Sequence, residues 1–268
     1  MADNPLRPPV PAHPLRALRR FTDARIGLGR QGAGLPTAAH LDFAEAHARA
    51  RDAVHAPFDA AGIAEVLQAQ GIATLTVDSE AGDRATYLRR PDLGRRLASG
   101  SATTLQAGAS GESCDLALII ADGLSAYAVN LYAADLAAAI LRLVPQSWRV
   151  APVVLASHAR VALSDPVGAA LGARIALMLI GERPGLSAAD SLGAYLTFDP
   201  KPGRSDANRN CVSNIRSGGL TPELAAVKIA GLLKRSASLG LSGTALKDDE
   251  GLIEGEPASN PLLGRPPS

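Results

Sequence analysis

Six apolar residues, Ile175 to Ile180, follow one another without a polar interruption, and Gly181 closes the run. A run that short and unbroken predicts a strand buried on both faces, as inside a parallel sheet. Leu116–Ala121 and Val150–Ala156 predict two more such strands, Ile72–Val77 alternates loosely as a further one, and Ala194–Phe198 adds another. Between them lie helical patterns. Thr37 is placed to cap a helix running to about His55, a second helix over Pro57–Gln70 is stopped by Gly71, and an alanine-rich helix runs from Ser125 to about Val144. A short helix is expected near Pro166–Leu171, and Thr221 with Pro222 opens a last one that ends near Gly240. This alternation predicts an α/β fold: an open, mostly parallel sheet with flanking helices and right-handed crossovers, Rossmann-like, preceded by a small helical N-terminal region.

The divisions are set by where the patterns stop. Residues 1–14 are a Pro-rich arm, 15–110 a helical region, 111–240 the α/β unit and 241–268 a tail rich in Pro, Gly and acid. Gly100–Ser113 has the composition of a polar linker. Asp199–Gly219 has that of a long polar loop, and loops of that length in a compact domain are usually functional or disordered. No internal repeat occurs.

Composition changes this picture in two places. Aromatics are only 3% against 47% apolar residues, so the core must be built from Ala, Leu, Val and Ile. Basic and acidic residues nearly cancel, 27 against 26, which argues against a nucleic-acid protein, since that needs a basic surplus to displace counterions. Cys114 and Cys211 form no metal spacing and read as reduced thiols. The N-terminus has Pro where a signal peptide needs an apolar core, and no apolar stretch reads as long enough to cross a membrane, so a cytoplasmic chain is expected. The arginines that exist are clustered, at Arg16, Arg19, Arg20 and Arg25 and again in Tyr87–Leu97, where Asp92 is placed to cap a short helix carrying Arg95 and Arg96. Such clusters are solvated faces or docking surfaces for a partner's carboxylates.

Candidate chemistry gathers where predicted strands end. Asp122–Ser125, Ser157–Val161 and Gly181–Gly185 should meet at one sheet edge, the place where open α/β sheets bind ligands, and the segment bearing Cys211 can reach it. Glu182 there is a possible general acid or base without an evident second group, and Cys211 a possible nucleophile. Ser125 and His158 with an Asp suggest a hydrolase triad, but the second Gly of the nucleophile elbow is missing. Gly27, Gly29 and Gly32 with Asp52 match a dinucleotide fingerprint, yet no buried strand precedes them, and Pro36 intervenes before any helix can begin. His40, His47 and His55 lack the spacing of a helical zinc motif, and no metal site is expected.

Five segments together resemble the light (small) chain of adenosylcobalamin-dependent ethanolamine ammonia-lyase: ARIGLGRQG (24–32), YLRRPDLGRRL (87–97), ADGLS (121–125), LIGERPGL (179–186) and NCVSNIRSGG (210–219). The resemblance spans roughly Leu15–Leu239. It implies a large (heavy) partner subunit that carries the substrate and the radical chemistry, a larger oligomer of such pairs, and often a bacterial microcompartment. It makes residues 111–240 a cobalamin-binding domain, and it implies that Val161, Glu182 and Cys211 contact the cobalamin, with no catalytic residue on this chain. His158–Ala159 stands where the family more often has an aromatic and Gly, which implies a differently shaped loop. Asp-x-His-x-x-Gly, which supplies a cobalt ligand in another cobalamin class, is missing, so this chain should not ligate cobalt. Two other readings compete: a stand-alone α/β enzyme acting on a small molecule through Glu182 or Cys211, and a scaffold that only stabilises a partner.

Overall fold

The computed structural model describes residues 13–108 and 113–247. Most of the expected Pro-rich arm and of the tail lies outside the described residues. One sheet holds the strands β1 (Thr74–Asp78), β2 (Cys114–Ala121), β3 (Val153–Ser157), β4 (Ala173–Gly181), β5 (Leu192–Phe198) and β6 (Arg209–Ile215), in the order β1-β3-β2-β4-β5-β6. The first four are parallel, while β5 runs antiparallel to β4 and β6 antiparallel to β5. Among the described residues seven α-helices accompany them: α1 (Thr37–His55), α2 (Ala60–Gln68), α3 (Arg84–Arg89), α4 (Ser99–Gly108), α5 (Ala126–Leu143), α6 (Ser164–Ala170) and α7 (Pro222–Leu239). The chain is therefore α/β, with a mostly parallel sheet and a helical lead-in, and β1 draws the sheet on residues before 111 as well.

The unbroken apolar run of β4 is explained by its two neighbours above and below. Ile175, Leu177 and Leu179 pack into the core shared with α2, α5 and α7, whereas Ala176, Met178 and Ile180 pack into the core shared with α4 and α6. A period of two with helices on both sides demands apolar residues at every position. Helix α5 is long and apolar enough to cross a membrane by length and composition, contrary to the sequence expectation. Its apolarity has a core explanation: Ala128, Val129, Ala133, Leu136, Ala137 and Ile140 are all buried against the sheet. Helix α7 begins and ends as the sequence predicts, with Thr221 accepting from the Leu224 amide and Gly240 in the left-handed region at φ 69°.

Four local expectations are corrected. The linker Gly100–Ser113 contains α4, because burial of Leu105 and Ser101 against β1 overrides a weak helix composition; the Ser101 hydroxyl accepts from the Asp78 amide at 2.8 Å. The long polar loop contains β6, an edge strand. Only one face of β6 is covered by α7, through Val212 and Ile215, so no apolar run marks it. Thr37 begins α1 without a side-chain cap, and Asp92 likewise caps nothing. The fingerprint glycines Gly27, Gly29 and Gly32 all lie at positive φ, and among the described residues no strand precedes them and a turn, not a helix, follows.

Candidate functional site

The parallel strands deliver three loops to one edge, and buried side chains lock these loops together. Asp122, just past β2, accepts from the Ala159 amide at 3.1 Å and from Arg84 at 3.2 Å. Arg84 also donates to the Gly123 carbonyl at 2.7 Å and to the Val54 carbonyl at 2.9 Å. Burial pushes the Asp122 carboxyl above its ordinary range, an effect opposed by the Ala159 amide and Arg84. Tyr87, fully buried, donates to the Ala159 carbonyl at 3.1 Å, and the Arg160 guanidinium lies 4.2 Å from its ring centre. Gly94 permits this packing, since a Cβ there would lie 3.0 Å from the His158 carbonyl, the Tyr87 ring and the Arg160 side chain. The segment that reads as an arginine cluster therefore serves first as the buttress of the loop after β3. Arg90 and Arg96 are engaged by Asp92 of the same segment, and Arg96 also by Glu80, which precedes α3.

Ser125 takes no part in a triad. It is buried, its hydroxyl donates to the Ala189 carbonyl at 2.9 Å and accepts from the Ala128 amide at 3.2 Å, which caps α5. His158 stands at φ 55°, in the left-handed region, and Ala159 beside it is buried. The backbone between β2 and β4 is equally close: a Cβ on Gly123 would sit 2.2 Å from the Gly181 carbonyl. The floor of the crevice is thus bare backbone.

Two openings meet at this corner. One, of about 380 Å³, lies over the strand ends and is lined by Gly123, Gly181, Glu182 and Arg183. The other, of about 670 Å³, lies beside β5 and β6 and is lined by Arg95, Arg204, Arg209 and Cys211. Arg160, Val161 and Tyr195 border both. The second opening exists because Tyr195 and Thr197 of β5, with Arg209 and Cys211 of β6, lie on the face that α4 and α6 cover farther along the sheet. All three residues singled out by the family resemblance, Val161, Glu182 and Cys211, border these adjoining openings.

Glu182 is held as an acceptor. Its carboxylate takes the Ser191 hydroxyl and the Asn214 amide, the latter at 3.2 Å. A Cβ on Gly193 would come within 3.0 Å of the other Glu182 oxygen, so glycine clears the space that the carboxylate occupies. Cys211 lies opposite Tyr195 in the ladder, and the phenol donates to the sulfur. Desolvation, with the Glu182 charge adding to it, raises the thiol above its ordinary range against that hydrogen bond, and desolvation with Cys211 raises the Tyr195 phenol as well. Both groups therefore stay protonated near neutral pH, which removes the thiolate that a nucleophile needs. Among the described residues no cluster of three or more His, Cys, Asp or Glu could hold a metal ion.

Tyr195, Arg160, Tyr87 and Asp122 carry no individual signal in the sequence. Asp122 and Tyr87 lie inside segments quoted above, but their burial depends on partners 37 and 72 residues away, respectively. The Arg209 guanidinium forms the floor of the larger opening, bound at 2.7 Å by each oxygen of Asp165 and at 2.9 Å to Thr197. That pair ties β6 to α6.

The fold and this corner define a class: an α/β chain whose strand-end cleft offers hydrogen bonds, cations and bare backbone, with its one lining thiol, Cys211, held protonated. The family described as ethanolamine ammonia-lyase light chain (EutC) matches residues 12–247. The chain is 55% identical over 244 residues to the ethanolamine ammonia-lyase small subunit of Bradyrhizobium diazoefficiens, covering 90% of this chain and 93% of that one. It is 52% identical over 257 residues to that of Rhodopseudomonas palustris, covering 96% and 98%, and 50% identical over 246 residues to that of Azotobacter vinelandii, covering 91% of each. The chain belongs to the ethanolamine ammonia-lyase light-chain family.

Proposed function

We propose that this chain holds adenosylcobalamin at an interface with a large catalytic subunit, for conversion of ethanolamine to acetaldehyde and ammonia. The observation that carries the reading is the convergence of Val161, Glu182 and Cys211 on two adjoining openings that share Tyr195. The residues suit the group. Corrin side chains are amides, which donate to a carboxylate and accept from N–H groups. Glu182 offers a fixed carboxylate beside exposed Arg183. Val161 and the neutral Cys211 thiol offer an apolar edge, and Gly123 and Gly181, whose backbones pack directly on neighbouring loop backbone, line the smaller opening. When bound, the cofactor supplies a cobalt–carbon bond whose homolysis starts radical chemistry, and the protein's share is binding and orientation. Glu182 positions, Tyr195 and Cys211 close one side, and the Asp122–Arg84–Tyr87 network keeps the loops in register.

The alternative, a stand-alone enzyme working through Glu182 or Cys211, is disfavoured by the raised thiol and by the acceptor role that already occupies Glu182. The reading places the chain in the cytoplasm, with a bacterial microcompartment as the enclosing body where one exists. Mixed with its large subunit, adenosylcobalamin and ethanolamine, the chain should yield acetaldehyde and ammonia, while neither chain alone should turn over. Turnover by this chain alone would overturn the proposal.

A further inference from the structure

A separate groove of about 510 Å³ lies away from the strand ends, between α4, α6 and the turn at Pro202. Its floor is apolar, with Leu97, Ala102 and Pro166, and its rim carries Arg95, Arg96 and Arg204. The acid on its wall, Asp165, is already engaged through both oxygens by Arg209. On the rim the acids are shared. Arg96 shares Asp92 with Arg90, Arg204 shares Asp199 with Lys201, and Arg95 is exposed with no ion pair among the described residues. Cations therefore outnumber acids along the rim, above a floor that has apolar surface to cover.

The sequence holds a segment of matching character. Residues 248–268 carry five acids, Asp248, Asp249, Glu250, Glu254 and Glu256, against one base, Arg265. The acids flank an apolar pair, Leu252 and Ile253. In a chain with 27 basic and 26 acidic residues, this concentration leaves the rest of the molecule with a basic surplus. The described chain ends close by. Asn210 bonds the Leu246 carbonyl at 3.0 Å, and Gly243 packs on the backbone of Ala207 and Asn208. Residues 202–204, which wall the groove, lie only a few positions before these. Extended, the nine residues from Asp248 to Glu256 span up to about 30 Å, enough to pass the edge of the sheet and run along the groove.

We propose that Asp248–Glu256 of this same chain docks in the groove, with Leu252 and Ile253 on the apolar floor and the flanking carboxylates against Arg95, Arg96 and Arg204. Apolar burial supplies the attraction, and the opposed charges on both sides set the register. The groove shares Arg95, Ala162 and Arg204 with the larger opening, so the docked segment forms part of that opening's outer wall.

The test uses the full chain, assembled with its large subunit, with the apolar photoprobe p-benzoyl-phenylalanine in place of Leu252. Irradiation and mass mapping should join position 252 to residues 97–102 or 166–170 of the same molecule. Arg95→Glu should lower that yield about two- to fivefold, the scale of one solvated ion pair. Arg95 has no ion pair among the described residues to lose, so this variant keeps the fold. Ile253→Asp should lower the yield about tenfold or more, since the burial of a large aliphatic side chain is lost. Crosslinks to a second copy of this chain, or to the large subunit, would give the segment another partner and overturn the proposal. Crosslinks scattered over this chain, or a groove crosslink indifferent to both substitutions, would overturn it as well.

Discussion

Replacing Arg209 by methionine should destabilise the chain by about 3–5 kcal/mol, the usual loss when one partner of a buried ion pair is removed. The side chains of Arg209 and Asp165 are only 2% and 3% exposed, and the two are joined by parallel bonds of 2.7 Å. Without the guanidinium, Asp165 keeps its charge in a low-dielectric interior or must take up a proton there, and either is costly. Thr197 loses its partner as well. The double variant Arg209→Met with Asp165→Leu should recover most of the loss, because both charges then leave together and apolar side chains fill the space. Urea unfolding followed by circular dichroism measures this as a shift in midpoint at unchanged slope. A single variant as stable as wild type would mean that β6 and α6 are not held by this pair.

Glu182→Gln should weaken adenosylcobalamin binding by the assembled complex about ten- to a hundredfold, and should change turnover at saturating cofactor far less. A charged acceptor makes hydrogen bonds worth roughly 1.5–3 kcal/mol, and glutamine keeps the shape with one neutral acceptor. The Ser191 hydroxyl and Asn214 amide can still be accepted by the remaining oxygen, so the loop after β4 keeps its place. The measurement is a titration of adenosylcobalamin that reads both affinity and maximal rate. Unchanged affinity with a collapsed rate would make Glu182 a catalytic group instead of a binding one.

Much of this architecture is legible in the sequence, for reasons visible in particular residues. The runs at Ile175–Ile180 and Leu116–Ala121 announce strands because helices cover both sheet faces there. Thr221, Pro222 and Gly240 mark α7 through local cap chemistry alone. Legibility fails where long-range partners decide the outcome. Arg209, Asn210 and Cys211 look like loop because β6 gains its stability from the β5 ladder, from the Arg209–Asp165 pair and from Asn210, which bonds the carbonyls of Gly243 and Leu246 at 3.2 and 3.0 Å. The same holds at the site. Glu182 stands out by its place after a buried strand, whereas Tyr195 shows no sign of its role until β6 brings Cys211 opposite it. The arginines of Tyr87–Leu97 are visible as a cluster. Their division, with Arg90 and Arg96 in ion pairs and Arg95 in none among the described residues, depends on where Asp92 and Glu80 turn.

On the proposed function, this chain completes the cofactor site of a larger enzyme. Equilibrium dialysis of adenosylcobalamin against the large subunit alone, this chain alone and the two together tests it most directly. Tight binding should require both chains, with each alone weaker by at least about a hundredfold, since each supplies only part of the contact surface. A large subunit that bound adenosylcobalamin as tightly without this chain as with it would contradict the account.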